Sequence, residues 1–233
     1  MSIGSVINEM VEYYRRAWRQ YGLLSGVVFL PLGLLAALAQ RHTGDTLRSL
    51  YVWGVISKVA MIVATTWLQA AVAVRSEEQR NGRALPGPRE TIRLVQPFLF
   101  PVLAVSAISA VAFLLLSLLG VIGLPFLIFL LTRWVVLVPV TVIEGLEIKQ
   151  VFRRAHELAK GKFFDLLLLA LLSVIVIAVI YLAVEAVAGS LPHFASTWIS
   201  LTVVGAIGMP PVMLLWTVAF FQLSRRSRRG VPV

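Results

Sequence analysis

The chain has 233 residues, 59% of them hydrophobic and 14% charged, with a mean hydropathy of +0.88 and a formal net charge of +10. Soluble domains carry roughly 45–50% apolar and about 25% charged residues, so polar surface here is too scarce to cover the apolar content, and a water-soluble globule is excluded. Nucleic-acid binding, the usual reading of a basic chain, falls with it, because surplus Lys and Arg in a membrane protein serve to fix orientation.

Residues 1–21 place Ile3, Val6, Ile7, Met10, Tyr14, Ala17, Trp18 and Tyr21 at helical spacing, with Glu9, Glu12, Arg15, Arg16 and Arg19 opposite. This predicts a basic amphipathic helix. Its charges, and the lack of a small-residue cleavage site after the first apolar run, argue against a signal peptide. A span needs about 20 apolar residues. The first is predicted at 23–39 and the second at 51–74, interrupted by Lys58. A shorter basic helix follows over 89–95, started by Pro86-Gly87-Pro88 and stopped by Pro97.

No charged residue occurs between Arg93 and Arg133. As one helix that stretch would reach roughly 58 Å, too long for one crossing. Gly120, Gly123 and Pro125 supply a turn, so two spans are predicted, 98–118 and 122–143. A third basic amphipathic helix follows, with Ile148, Val151, Phe152, Ala155, Leu158 and Ala159 on one face. Lys149, Arg153, Arg154, Glu157 and Lys160 form the other. Spans five and six are predicted at 164–188 and 198–223. The fold class is therefore all-α: one polytopic membrane domain of six spans, with basic interfacial helices before spans 1, 3 and 5. The order suggests three units, each an amphipathic helix and a helical hairpin.

Six spans put both termini on one side. With that side cytoplasmic, 17 of the 21 Lys and Arg collect there and only Arg41 and Arg48 lie in outer loops, a strong positive-inside bias. Trp53 and Trp198 fall at the outer boundary, and Trp18 and Trp216 near the inner one, as an aromatic belt requires. Ser106 and Ala110, like Ala60 and Ala64, form small-xxx-small faces suited to helix packing.

Ionisable groups inside a bilayer are costly and default to functional hypotheses. Arg133 falls about 16 Å from the outer end of span four. It is either an anion or headgroup contact in an internal cavity or a structural cation bonded to carbonyls. Lys58 and Glu185, near the outer ends of spans two and five, are expected to pair. Gly205, Gly208, Pro210 and Pro211 mark a helix break: the two prolines lack amide hydrogens, leaving the carbonyls of Ala206 and Ile207 without helical donors. This is either a hinge or site, or a plain kink. Glu144, at the inner edge of span four, is expected to anchor the basic helix after it, by an ion pair with Arg153 or Arg154.

The run Arg133-Trp134-Val135-Val136-Leu137-Val138-Pro139, then Glu144-Gly145, then Arg154 through Phe163 with Lys160-Gly161, resembles the YciC-like inner-membrane proteins and the membrane domain attached to some glycerophosphodiester phosphodiesterases. Members of that group carry an intramembrane Pro (here Pro139), a Glu at the membrane edge (Glu144), and a basic helix ending in Lys-Gly (Lys160, Gly161). Ala155 stands where the group usually has Ser, and Phe220-Phe221 where an aromatic-acidic-basic ending is typical. The resemblance implies a six-span membrane domain and little about activity. The phosphodiesterase barrel of the fused members would need about 200 further residues, and its activity is not carried over.

With zero Cys, disulfides and thiolate metal sites are absent. His42 and Asp45 share a loop but lack a third ligand. No catalytic constellation is legible, so the expectation is a non-enzyme with no cofactor and no metal. The leading reading is a lipid-associated scaffold or accessory of the plasma membrane. Its headgroup-binding cations would be Arg15, Arg16, Arg153, Arg154 and Lys160, and its partners membrane lipids, with a membrane protein as a further candidate. Oligomeric state is left open. The alternative is a small transporter or lipid flippase using Arg133 and the Pro210-Pro211 break.

Overall fold

A computed structural model describes residues 2–42 and 47–228; Asp45 and Arg229 lie outside them. The elements run α1 (Ile3–His42), α2 (Leu47–Arg80), α3 (Pro88–Val95), α4 (Leu99–Ser117), α5 (Gly123–Trp134), the short α6 (Leu137–Pro139), α7 (Ile148–Ala159), α8 (Phe163–Ala188), α9 (His193–Val203) and α10 (Met209–Arg228). No strand occurs among the described residues. Six helical stretches are long and apolar enough to cross a bilayer. Their outward faces carry large apolar side chains in the open, among them Leu118 (75% exposed), Val121 (81%) and Val187 (78%). Such surfaces are stable only against hydrocarbon, and the chain is a multi-pass integral membrane protein.

Each expected amphipathic helix is present. The first is the front part of α1, set off from the spanning part by a kink at Ala17, where φ is −140° and ψ 19°. The second and third are α3 and α7. Their apolar faces, however, lie against protein. Val151, Ala155, Leu158 and Ala159 of α7 are buried in one core with Val6 of α1 and Leu215, Phe220, Phe221 and Leu223 of α10. The expectation that these helices rest their apolar sides in the headgroup layer is corrected for α7. The end of the bundle where both terminal segments meet has its own packed core, and α10 is its central post. Polar ties join α1 to α10 there: Ser5 donates to Gln222 (3.0 Å), and Gln222 donates to Glu9 (3.1 Å). This end also holds α7 and is called the basic end below.

Two of the crossings are broken helices. Span four stops at Trp134, restarts as α6 and ends in a π turn, Val140–Glu144. Pro139 has no amide hydrogen for the carbonyl of Val135, and its ring crowds that carbonyl, which accounts for the interruption at 135–136. The expected continuous helix over 122–143 is thus corrected to two pieces. Span six runs from α9 through a second π turn, Val204–Gly208, into α10. A π turn joins each carbonyl to the amide five residues on. For Gly205 that amide would belong to Pro210, which has none. Ser25 of α1 supplies the donor, 2.9 Å away. The Gly205 carbonyl thus joins that of Ala206, whose fourth and fifth following residues are both proline, among the carbonyls that the break leaves without a helical donor.

α1 and α9 cross closely. A Cβ on Gly33 would stand 2.5 Å from Thr202 Oγ1, and one on Gly205 2.1 Å from Cγ of Phe29. Trp198 donates its indole hydrogen to the Leu30 carbonyl at 3.2 Å, and Thr197 bonds Gln40 at 2.8 Å.

Candidate functional site

Two concave features stand out. The first is a groove of ≈ 840 Å³ between α1 and the π turn of the last crossing. On α1 it is lined by Tyr14, Trp18, Gly22, Gly26 and Leu30, one turn apart, with Arg19, Leu23 and Val27 beside them. Thr202, Ala206 and Ile207 form the other wall. Gly22 and Gly26 make its floor: a Cβ built on either meets no atom within 4 Å. Leu23 and Val27 are 71% and 74% exposed, so the groove opens onto the hydrocarbon. At its basic end stands Arg19, its guanidinium 5.4 Å from the ring of exposed Trp18. No acidic side chain lines it.

The second is a cavity of ≈ 440 Å³, open on one side, lined by α2, α4, the break after α5, and α10. Ile62, Val105, Ala110, Phe113, Met209 and Met213 give it apolar walls. Thr65, Thr66, Gln69, Ser106 and Ser109 cross it as a polar stripe, and Trp134 and Trp216 add their indoles to the lining. Thr66 donates to Ser106 at 3.2 Å. Trp216 is 6% exposed and belongs to the core of the basic end, which corrects its expected place in the aromatic belt.

Arg133 lies in neither. It sits in the last turn of α5, where α7 folds back, and meets the imidazole of His156 (Nη1 to Nε2, 2.6 Å) with its guanidinium 4.2 Å from the Phe129 ring. The contact with His156 holds this side chain against α7, away from both cavities. Lys58 and Glu185 do not pair. Glu185 accepts hydrogen bonds from Ser200 (3.0 Å) and Ser196 (3.5 Å), whose hydroxyls lie one helical turn apart on α9. Lys58 lines a separate small cavity of ≈ 180 Å³ between α1, α2 and Leu201 of α9. α9 stands between the two, so two serines take the place of the expected cation.

Among the expected headgroup residues, Arg15, Arg16, Arg153 and Lys160 are exposed, and Arg16 pairs with Glu12. Arg154 is turned inward to Glu144 at 3.0 Å, with only 21% and 14% of the two side chains exposed. That bond pins the start of the connecting segment to α7. Gly145 and Gly161 take positive φ (60° and 73°) at the turns on either side of α7, where a side chain would be strained. Pro139 lies buried beside the π turn, and Gly208 packs on Ile177 and Ile180 of α8. Arg75, counted among the basic-end cations, is 2% exposed and bonds the carbonyls of Gln20 (3.3 Å) and Pro86 (2.7 Å). It ties the loop before α3 to α1 and offers nothing to a headgroup.

The Gly22–Gly26 floor and the Gln69 stripe were not singled out from the sequence. Each has a signal: GxxxG spacing at 22 and 26, and uncharged polar residues at helical spacing in spans two and three. No group of His, Cys, Asp and Glu suited to a metal occurs among the described residues. Compared with family models, curated proteins and solved structures, the chain matches none.

Proposed function

We propose that this protein is a lipid-associated scaffold or accessory of the plasma membrane, with both termini cytoplasmic, that holds an anionic phospholipid along α1. The carrying observation is the groove that runs from Arg19 and Trp18 at the basic end to Leu30 and Thr202 within the bundle. An acyl chain gains no hydrophobic free energy in passing from bilayer to groove, since both are apolar. Preference therefore rests on fit and on charge, and a cation near the surface contributes about 1 kcal/mol toward an anionic headgroup. A second copy is the less suitable occupant. Copies inserted in the same orientation would cross with parallel α1 helices, bringing Arg19 level with Arg19. Exposed Arg15 and Arg16, one turn before Arg19 on α1, extend the positive field around the mouth.

The test is lipid analysis of protein extracted gently from a membrane of mixed composition. Enrichment of anionic lipid over the bulk, reduced by Arg19→Ala, supports this reading. Bulk composition in the wild type, unchanged by that substitution, contradicts it. The likeness to the YciC-like group enters only as shared architecture.

A further inference from the structure

We infer that the cavity between α2, α4 and α10 is a second lipid site, one that takes an uncharged glycerolipid of the diacylglycerol type by its ester and hydroxyl groups. It shares no residue with the α1 groove, so each stands or falls alone.

Three groups lining it have hydrogen-bonding capacity that the protein leaves unused. The amide of Gln69 and the indole N–H groups of Trp134 and Trp216 meet no hydrogen-bond partner among the described residues. Trp216 is 6% exposed, and its indole nitrogen is not among the sealed, unpaired polar atoms, so it opens to this space. In a hydrocarbon surrounding, unmet polar groups are costly, so the cavity calls for an occupant with acceptors. The hydroxyls around it sharpen the demand. Thr65 and Ser109 donate to the carbonyls of Met61 (2.7 Å) and Val105 (2.8 Å), and Thr66 donates to Ser106. The hydrogens of Thr65, Thr66 and Ser109 are engaged, so these three offer lone pairs, while Ser106, the acceptor from Thr66, keeps its own hydrogen. The site thus offers indole and amide donors for two carbonyl oxygens, and acceptors for one hydroxyl.

Charge and shape narrow the ligand further. No ionisable side chain lines the cavity, so a phosphate or ammonium group there would be left without a countercharge, which desolvation penalises heavily. The walls are apolar and include Met209 and Met213, whose flexible side chains adapt to irregular ligands. A volume of ≈ 440 Å³ lies within the range of about 300–1,000 Å³ typical of small-molecule sites. Ile62, at one edge, is 40% exposed, so acyl chains can leave by that side into the bilayer.

The test uses the full chain in phosphatidylcholine vesicles, with Trp18, Trp53, Trp67 and Trp198 replaced by Phe so that Trp134 and Trp216 report alone. Brominated-chain diacylglycerol should quench them more strongly, mole for mole, than brominated phosphatidylcholine or brominated phosphatidylglycerol. Gln69→Met, which keeps the volume, should weaken that preference about fivefold, the effect of one neutral hydrogen bond. Equal quenching by all three lipids means that water alone fills the cavity and overturns the inference. So does a preference for phosphatidylglycerol, or one indifferent to Gln69→Met. If the multiple Phe variant does not fold, native mass spectrometry of otherwise unaltered protein doped with diacylglycerol decides. One diacylglycerol retained by the wild type and lost from Gln69→Met supports the site; none retained by the wild type refutes it.

Discussion

Ser25 and Gly205 are 180 residues apart and joined by one hydrogen bond, 2.9 Å from the serine hydroxyl to the glycine carbonyl. The bond repairs the backbone where Pro210 cannot donate, and it ties α1 to the last crossing beside the middle of the groove. Removing it leaves a carbonyl unmet inside the bundle. Ser25→Ala should lower stability by about 1–3 kcal/mol, read from denaturant unfolding in detergent. Ser25→Thr, which keeps a hydroxyl, should recover part of the loss if the buried site admits its methyl.

Gly205 serves the same crossing by having no side chain. Its added Cβ would lie 2.1 Å from the ring of Phe29, which is 1% exposed. Gly205→Ala is therefore expected to destabilise by about 1–3 kcal/mol through overpacking. Phe29→Leu should relieve much of that penalty, so the double variant should be more stable than the sum of the single effects allows. Strict additivity would show that the two do not share the contact.

Glu144 and Arg154 form a half-buried pair at 3.0 Å. Losing one partner leaves the other charge poorly solvated. Glu144→Gln should cost about 1–3 kcal/mol and loosen α7, seen as faster amide exchange over Ile148–Ala159. Lys58 and Glu185 supply the contrast. Each belongs to a different cavity or hydroxyl set, so Lys58→Met and Glu185→Gln should add to within about 0.5 kcal/mol.

The absence of native Cys makes topology directly measurable. Single Cys at Ser2 and at Lys160 should react with an impermeant thiol reagent only from the cytoplasmic side of spheroplast-derived vesicles. A Cys at Leu191, between α8 and α9, should react only from the other side. Labelling of Ser2 and Leu191 positions from the same face would contradict the six-span arrangement.

The spans, the three amphipathic helices and the Pro210-Pro211 break were legible because each is a local property: run length, periodicity, a missing amide hydrogen; the break before Pro139 was passed over in favour of an unbroken span. Which side chains meet was not. The Lys58–Glu185 pairing failed because α9 intervenes and its Ser196 and Ser200 satisfy the carboxylate. No single-span pattern announces that. The cavity contact expected of Arg133 was counted along one span, whereas its partner, His156, comes from α7, 23 residues on. The apolar face of α7 was correctly located by its period, but periodicity does not say whether lipid or protein covers it; the core with Val6 and Phe220 does. α4 and α8 are apolar on all sides, so their packed faces could not be read from the sequence in advance.

The account turns on whether the α1 groove holds an anionic lipid. Gly22→Leu and Gly26→Leu probe it most directly, because their side chains would fill the groove floor without meeting protein within 4 Å of the new Cβ. Leu is also the better helix former, by about 0.8 kcal/mol per position, so stability should hold or rise. Native mass spectrometry of the wild type released from anionic-lipid nanodiscs should show a retained phosphatidylglycerol-type adduct, lost in the double variant while its melting temperature is unchanged or higher. The same adduct occupancy in both proteins would contradict the assignment of the groove as the lipid site.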